Sequence, residues 1–506
     1  MKNTLEEIFY YSYNHIFREF KDSEILFKSS YTNLEKILKS NHISVESGFF
    51  YKKIRDGWFL NYEPAQQRSI NAKFESLTFA EFIALFHPDR PTRLLLDKLR
   101  RKLDLNVTAI CNYECEYCYQ RSRDTDWEKL VRKAQYYELS IDELKKIIDQ
   151  AAILGSGSIK ITGGEPLTKK GVISLVKYAL SKESLNEVEL LSNSSLITEH
   201  LQELKEITLH KANKFHLHSS IDGLSTEKGL SNTKYSKIHY KKLINIRKEL
   251  PGIKISINSM WTENLCSKKV LNKIYQFAIE NKVDRWTISF PYIVDELKNA
   301  LKRNHKYIPD YEKVVKLTYY LVKIHRDKGY PFQLSIPLLF KHEMFDKGYT
   351  VATQCFDNHP CFPCHGSYLI IGPKGEIMEC LLAKPQTNAN IKDGDLLEVM
   401  LQSIKENSFY DLTEEIVSNK CNNCRYEHLC QGQCVNDRAI KKNNPFAPDT
   451  EYGQDNSACN LLSRAEVTIW PLLDRKNKKI ISTYINKNGF YPLQNKSIDQ
   501  IINKFD

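Results

Sequence analysis

No stretch of about 18 consecutive apolar residues, the least that carries a helix across a bilayer, occurs in the 506 residues. No helical membrane span is expected. The first residues, Met1-Lys-Asn-Thr-Leu-Glu-Glu, bring acids early and lack an apolar segment ending in a small-residue cleavage site, so no secretory signal is expected either. Lys and Arg outnumber Asp and Glu by 73 to 62, a net charge of +11, yet no compact basic block is interleaved with stacking aromatics. None of the short nucleic-acid recognition motifs accompanies the charge. The excess therefore reads as solvated surface, able to steer an acidic partner such as an anionic peptide, and nucleic acid is not an expected partner. Internal repeats and low-complexity tracts are absent as well. Cysteine is plentiful, with 13 in the chain. Without an export signal these are expected to be thiols in a reducing cytoplasm.

Hydrophobic residues make up 42% of the chain and charged residues 27%, a globular balance. At about 100 to 200 residues per domain, the length suggests three domains. From residue 103 to about 330 strand and helix alternate six times. The expected strands are Leu103 to Ile110, Ser158 to Thr162, Glu187 to Leu191, Lys214 to Ile221, Lys254 to Ser259 and Arg285 to Phe290, with segments of helical period between them. The first helix is the clearest, because Ser140-Ile-Asp-Glu143 is a capping box ahead of Leu144, Ile147, Ile148 and Ala151. Such alternation implies an α/β fold with right-handed crossovers and a parallel sheet. Residues 1 to about 100 differ, with two helical stretches, a hairpin-like Phe49 to Ile54 and Trp58 to Tyr62 around Arg55-Asp56-Gly57, and a helix near Thr78 to Phe86.

The most informative spacing is Cys111-Asn-Tyr-Glu-Cys115-Glu-Tyr-Cys118, on a loop leaving the first strand. Three thiolates can hold an iron-sulfur cube by three corners and leave the fourth iron free to bind something. Zinc, a disulfide and coincidence are the alternatives, but a zinc site normally draws four ligands in paired short spacings, and no fourth Cys or His lies in the loop. The triplet resembles the signature of the radical S-adenosylmethionine (radical SAM) superfamily, with Tyr117 in place of the aromatic residue before the third cysteine. The resemblance implies a partial (β/α)6 barrel over 101–330, an N-terminal α+β extension over 1–100, either an accessory domain that binds a peptide leader or a simple packing extension, and further domains beyond.

Other motifs follow successive strands, where sheets of this kind collect their chemistry. Gly163-Gly164-Glu165-Pro166 comes directly after Ile159-Lys-Ile-Thr162, and in the family such a motif holds the methionine amino group of SAM. Ser192-Asn193 resembles the family's ribose-contacting Ser/Thr-Asn-Gly, with Ser194 replacing the glycine. Ser219-Ser220-Ile221-Asp222-Gly223 resembles the stretch whose serine contacts the SAM carboxylate, which makes Ser220 the expected contact. The family usually pairs that carboxylate with an Arg soon afterwards, but Leu224 to Leu243 contains none, and Lys228 or Lys234 is the candidate substitute.

A second group of cysteines lies between 355 and 459: Cys355, Cys361, Cys364, Cys380, Cys421, Cys424, Cys430, Cys434 and Cys459. The core, Cys421-x2-Cys424-x5-Cys430-x3-Cys434, resembles the SPASM domain, with zinc as the alternative for its Cys-x2-Cys pair. By that resemblance residues 331–470 would carry two auxiliary 4Fe-4S clusters and residues 471–506 a C-terminal extension. Cys421, Cys424, Cys430 and Cys459 would close one cluster. Cys380 and Cys434 would join two of Cys355, Cys361 and Cys364 on the other, the first two being preferred and Cys364 the alternative. Cys266 reads as a buried thiol.

Taken together, the resemblance implies a cytoplasmic radical SAM peptide maturase with SAM and three 4Fe-4S clusters. It would cleave SAM reductively to a 5'-deoxyadenosyl radical and oxidatively crosslink a ribosomally made precursor peptide by a thioether or C-C bond, with a reductant such as flavodoxin or ferredoxin. A sulfatase-maturating enzyme, for which Asp222 is a candidate catalytic acid, and a non-enzymatic iron-sulfur scaffold or peptide-binding protein are the alternatives.

Overall fold

The computed structural model describes residues 49–50, 77–78, 103–113, 115, 118, 137–153, 156–182, 185–209, 211–222, 237–262, 265–289, 311–336, 369–378, 388–396, 399, 402–403, 424–426, 458–485 and 487. The chain divides into two compact units. One comprises Met1–Ala109, Lys133–Leu190 and Gly366–Asn407; the other comprises Ile110–Arg132, Leu191–His365 and Ser408–Asp506.

In the first unit, a short antiparallel pair joins β1 (Phe49–Phe50) to β2 (Leu77–Thr78). Thr78, expected to open a helix, is therefore in a strand; the other arm of the expected hairpin lies outside the described residues. The main sheet sets β3 (Leu103–Asn106), β4 (Ser158–Thr162) and β5 (Glu187–Ser192) side by side in parallel. Each crossover carries a helix, α1 (Ile141–Ile153) and α2 (Val172–Ser181), which pack on one another. Leu103, Leu105, Ile159, Ile161, Val188 and Leu190 occupy alternate strand positions and are fully buried, as are Leu144, Ile148, Ala151, Leu175, Val176 and Ala179 of the helices. Burying each large aliphatic side chain is worth about 1.5–3 kcal/mol, which fixes the strand register, since a slip of one residue would turn the whole row over. The opposite row is polar: Asp104 faces Lys160 in register and pairs with it at 3.0 Å.

The capping box forms as expected. Ser140 Oγ accepts the Glu143 N–H (3.2 Å) and Glu143 Oε2 accepts the Ser140 N–H (2.7 Å). That backbone hydrogen bond is the main cause that holds the Glu143 carboxyl below the usual carboxylate range. Further along the chain, β10 (Leu369–Ile371) pairs in antiparallel fashion with β11 (Ile377–Met378) and also in parallel with β3. A three-residue, wholly apolar strand carries no alternation to announce a second partner.

The second unit contains a parallel run of β6 (Phe215–Ser220), β7 (Lys254–Met260), β8 (Arg285–Ser289) and β9 (Gln333–Ser335). Between β5 and β6 lies α3 (Leu201–Thr208), and α4 (Lys237–Glu249), α5 (Lys268–Glu280) and α6 (Tyr311–Asp327) form the later crossovers. The buried row is Phe215, Leu217, Ile255, Ile257, Trp286, Ile288 and Leu334. Near the end of α4, Arg247 donates to the carbonyls of Ile253 (2.9 Å) and Lys282 (2.8 Å) and to Asp284 (3.0 Å), tying the ends of two crossovers together. Two further helices follow, α7 (Ala458–Thr468), which packs on α6, and α8 (Arg475–Tyr484). No helix among the described residues is long and apolar enough to cross a membrane.

Candidate active site

In the first unit the chain leaves β4 and turns at once through Gly163 and Gly164. Thr108 O accepts the Gly164 N–H at 2.7 Å, while Thr162 O accepts the Val107 N–H at 2.8 Å, so the ends of β3 and β4 are laced together. A β-carbon on Gly163 would stand 2.5 Å from Thr108 O and 3.1 Å from Asn106 Oδ1. Only glycine permits that approach. Glu165 is buried, and its carboxylate accepts the Leu167 N–H at 3.1 Å, capping a short 3-10 turn over Pro166–Thr168. Lys169, directly after the turn, reaches Glu138 Oε2 at 3.2 Å. The other carboxylate oxygen of Glu138 accepts from Thr108 Oγ1 (3.0 Å) and from the Ala109 N–H (2.8 Å).

In the second unit lie the cysteine loop and the end of β5. Cys115 is buried, and Cys111 and Cys118 are half-buried. Cys111 Sγ accepts the Tyr113 N–H at 3.4 Å, and Cys115 O accepts the Cys118 N–H at 3.0 Å. Tyr117 lies outside the described residues. Asn112, between the first two cysteines, accepts from Asn193 Nδ2 (2.9 Å) and donates to Ser195 Oγ (2.8 Å), so the cysteine loop is bonded directly to the Ser192-Asn193 loop. Ser194, where the family places glycine, has φ +59°, the left-handed conformation that glycine favours. That backbone costs a serine about 1–2 kcal/mol. Three hydrogen bonds hold it there: Ser194 N–H to Ser192 Oγ (2.8 Å), Ser195 N–H to Asn193 Oδ1 (2.9 Å) and Ser194 Oγ to the buried Ser219 Oγ (2.8 Å).

Ser220 ends β6 and is half-buried. Asp222 is buried, and its Oδ1 accepts the Met260 N–H at 3.0 Å, so this carboxylate fastens the end of β7. Gly223, Lys228 and Lys234 lie outside the described residues. Lys242 of α4, which the sequence reading passed over, donates from Nζ to Ser195 O beside the Ser192-Asn193 loop. Its only signal in the chain is a lysine on the helix that follows the Asp-Gly stretch.

The donor chemistry fits a cluster: Cys111, Cys115 and Cys118 bring three sulfurs on one loop, and each could ligate one iron of a four-iron cube, leaving the fourth iron open. The N–H aimed at Cys111 Sγ is the kind of hydrogen bond that favours a ligating thiolate.

Of the second cysteine group only Cys424 is described together with its side chain; Cys459 lies on α7, and Cys355, Cys361, Cys364, Cys380, Cys421, Cys430 and Cys434 lie outside the described residues. Cys424 is buried and repeats the Cys111 pattern, its sulfur accepting the Tyr426 N–H at 3.5 Å. Arg425 makes a forked pair with Glu466 of α7 (Nη2 to Oε1 2.6 Å, Nε to Oε2 3.1 Å), and Tyr426 OH donates to Glu466 Oε2 at 2.6 Å. The Cys424 turn is thereby clamped to the helix that carries Cys459. Cys266 is a buried thiol, as expected.

Residues 105–332 match the Radical SAM superfamily. The chain is 25% identical over 324 residues to a GTP 3',8-cyclase of Clostridium perfringens (strain 13 / Type A), covering 61% of this chain and 92% of that one. A GTP 3',8-cyclase of Peptoclostridium acidaminophilum is 33% identical over 138 residues, but the match spans only 39% of that protein's length, and so speaks for a shared core. In fold, the chain is similar to Streptococcus suis SuiB bound to precursor peptide SuiA, with a TM-score of 0.52 at 18% identity over 83% of this chain and 89% of that one.

Proposed function

Residues 105–332 are a radical SAM domain, and we propose that it serves a maturase that oxidatively modifies a ribosomally made precursor peptide. The observation that carries the peptide reading is the second cysteine group, with its one described turn, at Cys424, clamped through Glu466 to the helix that bears Cys459. Such an additional cysteine domain fits auxiliary clusters that take up the electron left over when a crosslink closes. The fold it shares with SuiB is compatible with this reading.

Cys111, Cys115 and Cys118 would hold the SAM-binding cluster and leave one iron open. When bound, that cluster and SAM supply a 5'-deoxyadenosyl radical able to take a hydrogen atom from an unactivated C–H bond. The chain's part is orientation. Gly163 and Gly164 present backbone where the methionine amino group needs acceptors, and Ser192 and Asn193 are suited to the ribose hydroxyls. Lys242 joins Lys228 and Lys234 as a candidate partner for the SAM carboxylate, and Ser220 is the other expected contact. Asp222, whose Oδ1 accepts the Met260 N–H, is the candidate acid for the sulfatase-maturating alternative. Cys421, Cys424, Cys430 and Cys459 would hold one auxiliary cluster, and Cys380 and Cys434 with Cys355 and Cys361 the other.

A nucleotide substrate is the second reading, favoured by the GTP 3',8-cyclase relative whose length the chain matches almost throughout. The test is anaerobic reconstitution with iron and sulfide, followed by SAM, a strong reductant, and either GTP or a short Cys-rich or aromatic-rich peptide encoded beside this protein. Formation of 5'-deoxyadenosine by the parent and none by a Cys111, Cys115, Cys118 triple Ala variant is expected, with a peptide of altered mass. Consumption of GTP with the peptide untouched would replace the peptide reading by the nucleotide one.

A further inference from the structure

Glu138 belongs to none of the motifs, yet its side chain, only 7% exposed, gathers donors from the chain just after β3 and from the residue after the glycine turn, all within the first unit. Thr108 and Ala109 lie on the chain three and two residues before Cys111, and Lys169 directly follows the Pro166–Thr168 turn that ends the Gly163-Gly164-Glu165-Pro166 motif. Between those loops runs the Gly164 N–H to Thr108 O bond, at the point where a β-carbon on Gly163 would collide. The segment presenting Glu138 is itself fixed from outside. Pro373 O, in the β10–β11 turn, accepts the Leu139 N–H at 2.7 Å, and Lys392 Nζ donates to Tyr137 O at 3.0 Å.

We propose that Glu138 is a positioning residue for SAM binding: its carboxylate, paired with Lys169, sets the entry to the cysteine loop against the glycine turn. This rests on the reading of those loops as the SAM and cluster sites. The physical reasons are two. A nearly buried carboxylate holding two neutral donors and one ammonium makes short, charge-assisted bonds of defined direction. Removing the charge leaves the Lys169 ammonium, 13% exposed, without its counter-ion and lets the two loops part. Outer partners of this kind typically change ligand affinity by about 10–100-fold when mutated.

The experiment measures SAM affinity by equilibrium dialysis on the anaerobically reconstituted full chain, with iron content, thermal midpoint and the change in the reduced cluster's electron paramagnetic resonance signal on adding SAM. Glu138→Gln, which retains shape and one acceptor oxygen, is expected to hold the parent's iron while binding SAM about 10–100-fold more weakly and shifting the SAM-induced signal less. Glu138→Asp should recover part of the affinity. Lys169→Met should weaken binding in the same direction, and the double variant should be little worse than the weaker single one, because the two act as a unit. SAM affinity of Glu138→Gln within about twofold of the parent, well below the 10–100-fold expected, overturns the proposal. If Glu138→Gln fails to fold or to load iron, Lys169→Met decides by the same criterion. A parent chain that loads iron but binds no SAM overturns the reading of the loops, and with it the proposal; a parent that binds, with both variants unchanged, overturns the proposal alone.

Discussion

Replacing Gly163 by alanine isolates the steric demand at the junction of β3 and β4. The added carbon would meet Thr108 O at 2.5 Å, a backbone atom with no rotamer to escape into, and Asn106 Oδ1 at 3.1 Å. Relief requires the Gly163 and Thr108 backbones to part, which breaks the Gly164 N–H to Thr108 O bond of 2.7 Å. Overpacking of this kind costs about 1–3 kcal/mol and the lost hydrogen bond about 1 kcal/mol, for about 2–4 kcal/mol in all. Spent against the binding-competent arrangement, that is a SAM dissociation constant raised by about 30- to 1000-fold. Gly329 supplies the control, since its φ of +72° is left-handed but nothing lies within 4 Å of its would-be β-carbon. Gly329→Ala should cost about 1 kcal/mol through the backbone alone and leave SAM affinity unchanged. The assay is equilibrium dialysis with labelled SAM on both reconstituted variants beside a thermal melt. Gly163→Ala binding SAM within about threefold of the parent, where about 30-fold or more is expected, would refute the steric argument, and equal losses in the two variants would show that general instability is being measured.

Two further outcomes test other parts of the molecule. Arg425→Met leaves the Glu466 carboxylate, 16% exposed, without its guanidinium; about 2–3 kcal/mol of local stability should go, and iron equivalent to one cluster should be lost while the iron at the Cys111 loop stays. Iron analysis and Mössbauer spectra check this, and an unchanged iron content would detach Cys424 from any cluster. Burial pushes the Tyr275 hydroxyl up to about 12 from its ordinary value near 10, where its oxygen sits 3.2 Å from His325 Nδ1. Its folded pKa being the higher, the stabilising effect is whole below pH 10 and is lost between about pH 10 and 12, as the unfolded chain sheds the proton first. The thermal midpoint should fall across that window in the parent and fall less steeply in Tyr275→Phe; parallel curves would contradict the assignment.

Much of this protein is legible along the chain because its signals are local. The Ser140 and Glu143 box announces α1, and each of the six expected strands from Leu103 to Phe290 has its counterpart, though the first stops at Asn106, where the polar Asn106 and Thr108 begin to serve the loop. The three-cysteine spacing and the Gly-Gly turn are likewise sequence-local. Two elements were not legible. β10 is three apolar residues with a visible hairpin partner in β11 and an invisible one in β3. The glycine-like backbone of Ser194 depends on the hydroxyl of Ser219, 25 residues away.

The covalent order of residues thus determines which candidate ligands the chain owns, the cysteines and the glycines, and the strand and helix periods that deliver them. Tertiary structure alone decides which charges meet them. Glu138 reaches Ala109 across 29 residues and Lys242 reaches Ser195 across 47, and neither stands in a pattern that spacing reveals. The physical reason is that a buried or half-buried charge takes its partner from whatever the packed strands bring within about 3 Å, and that choice is made by the hydrophobic rows on the other side of the sheet.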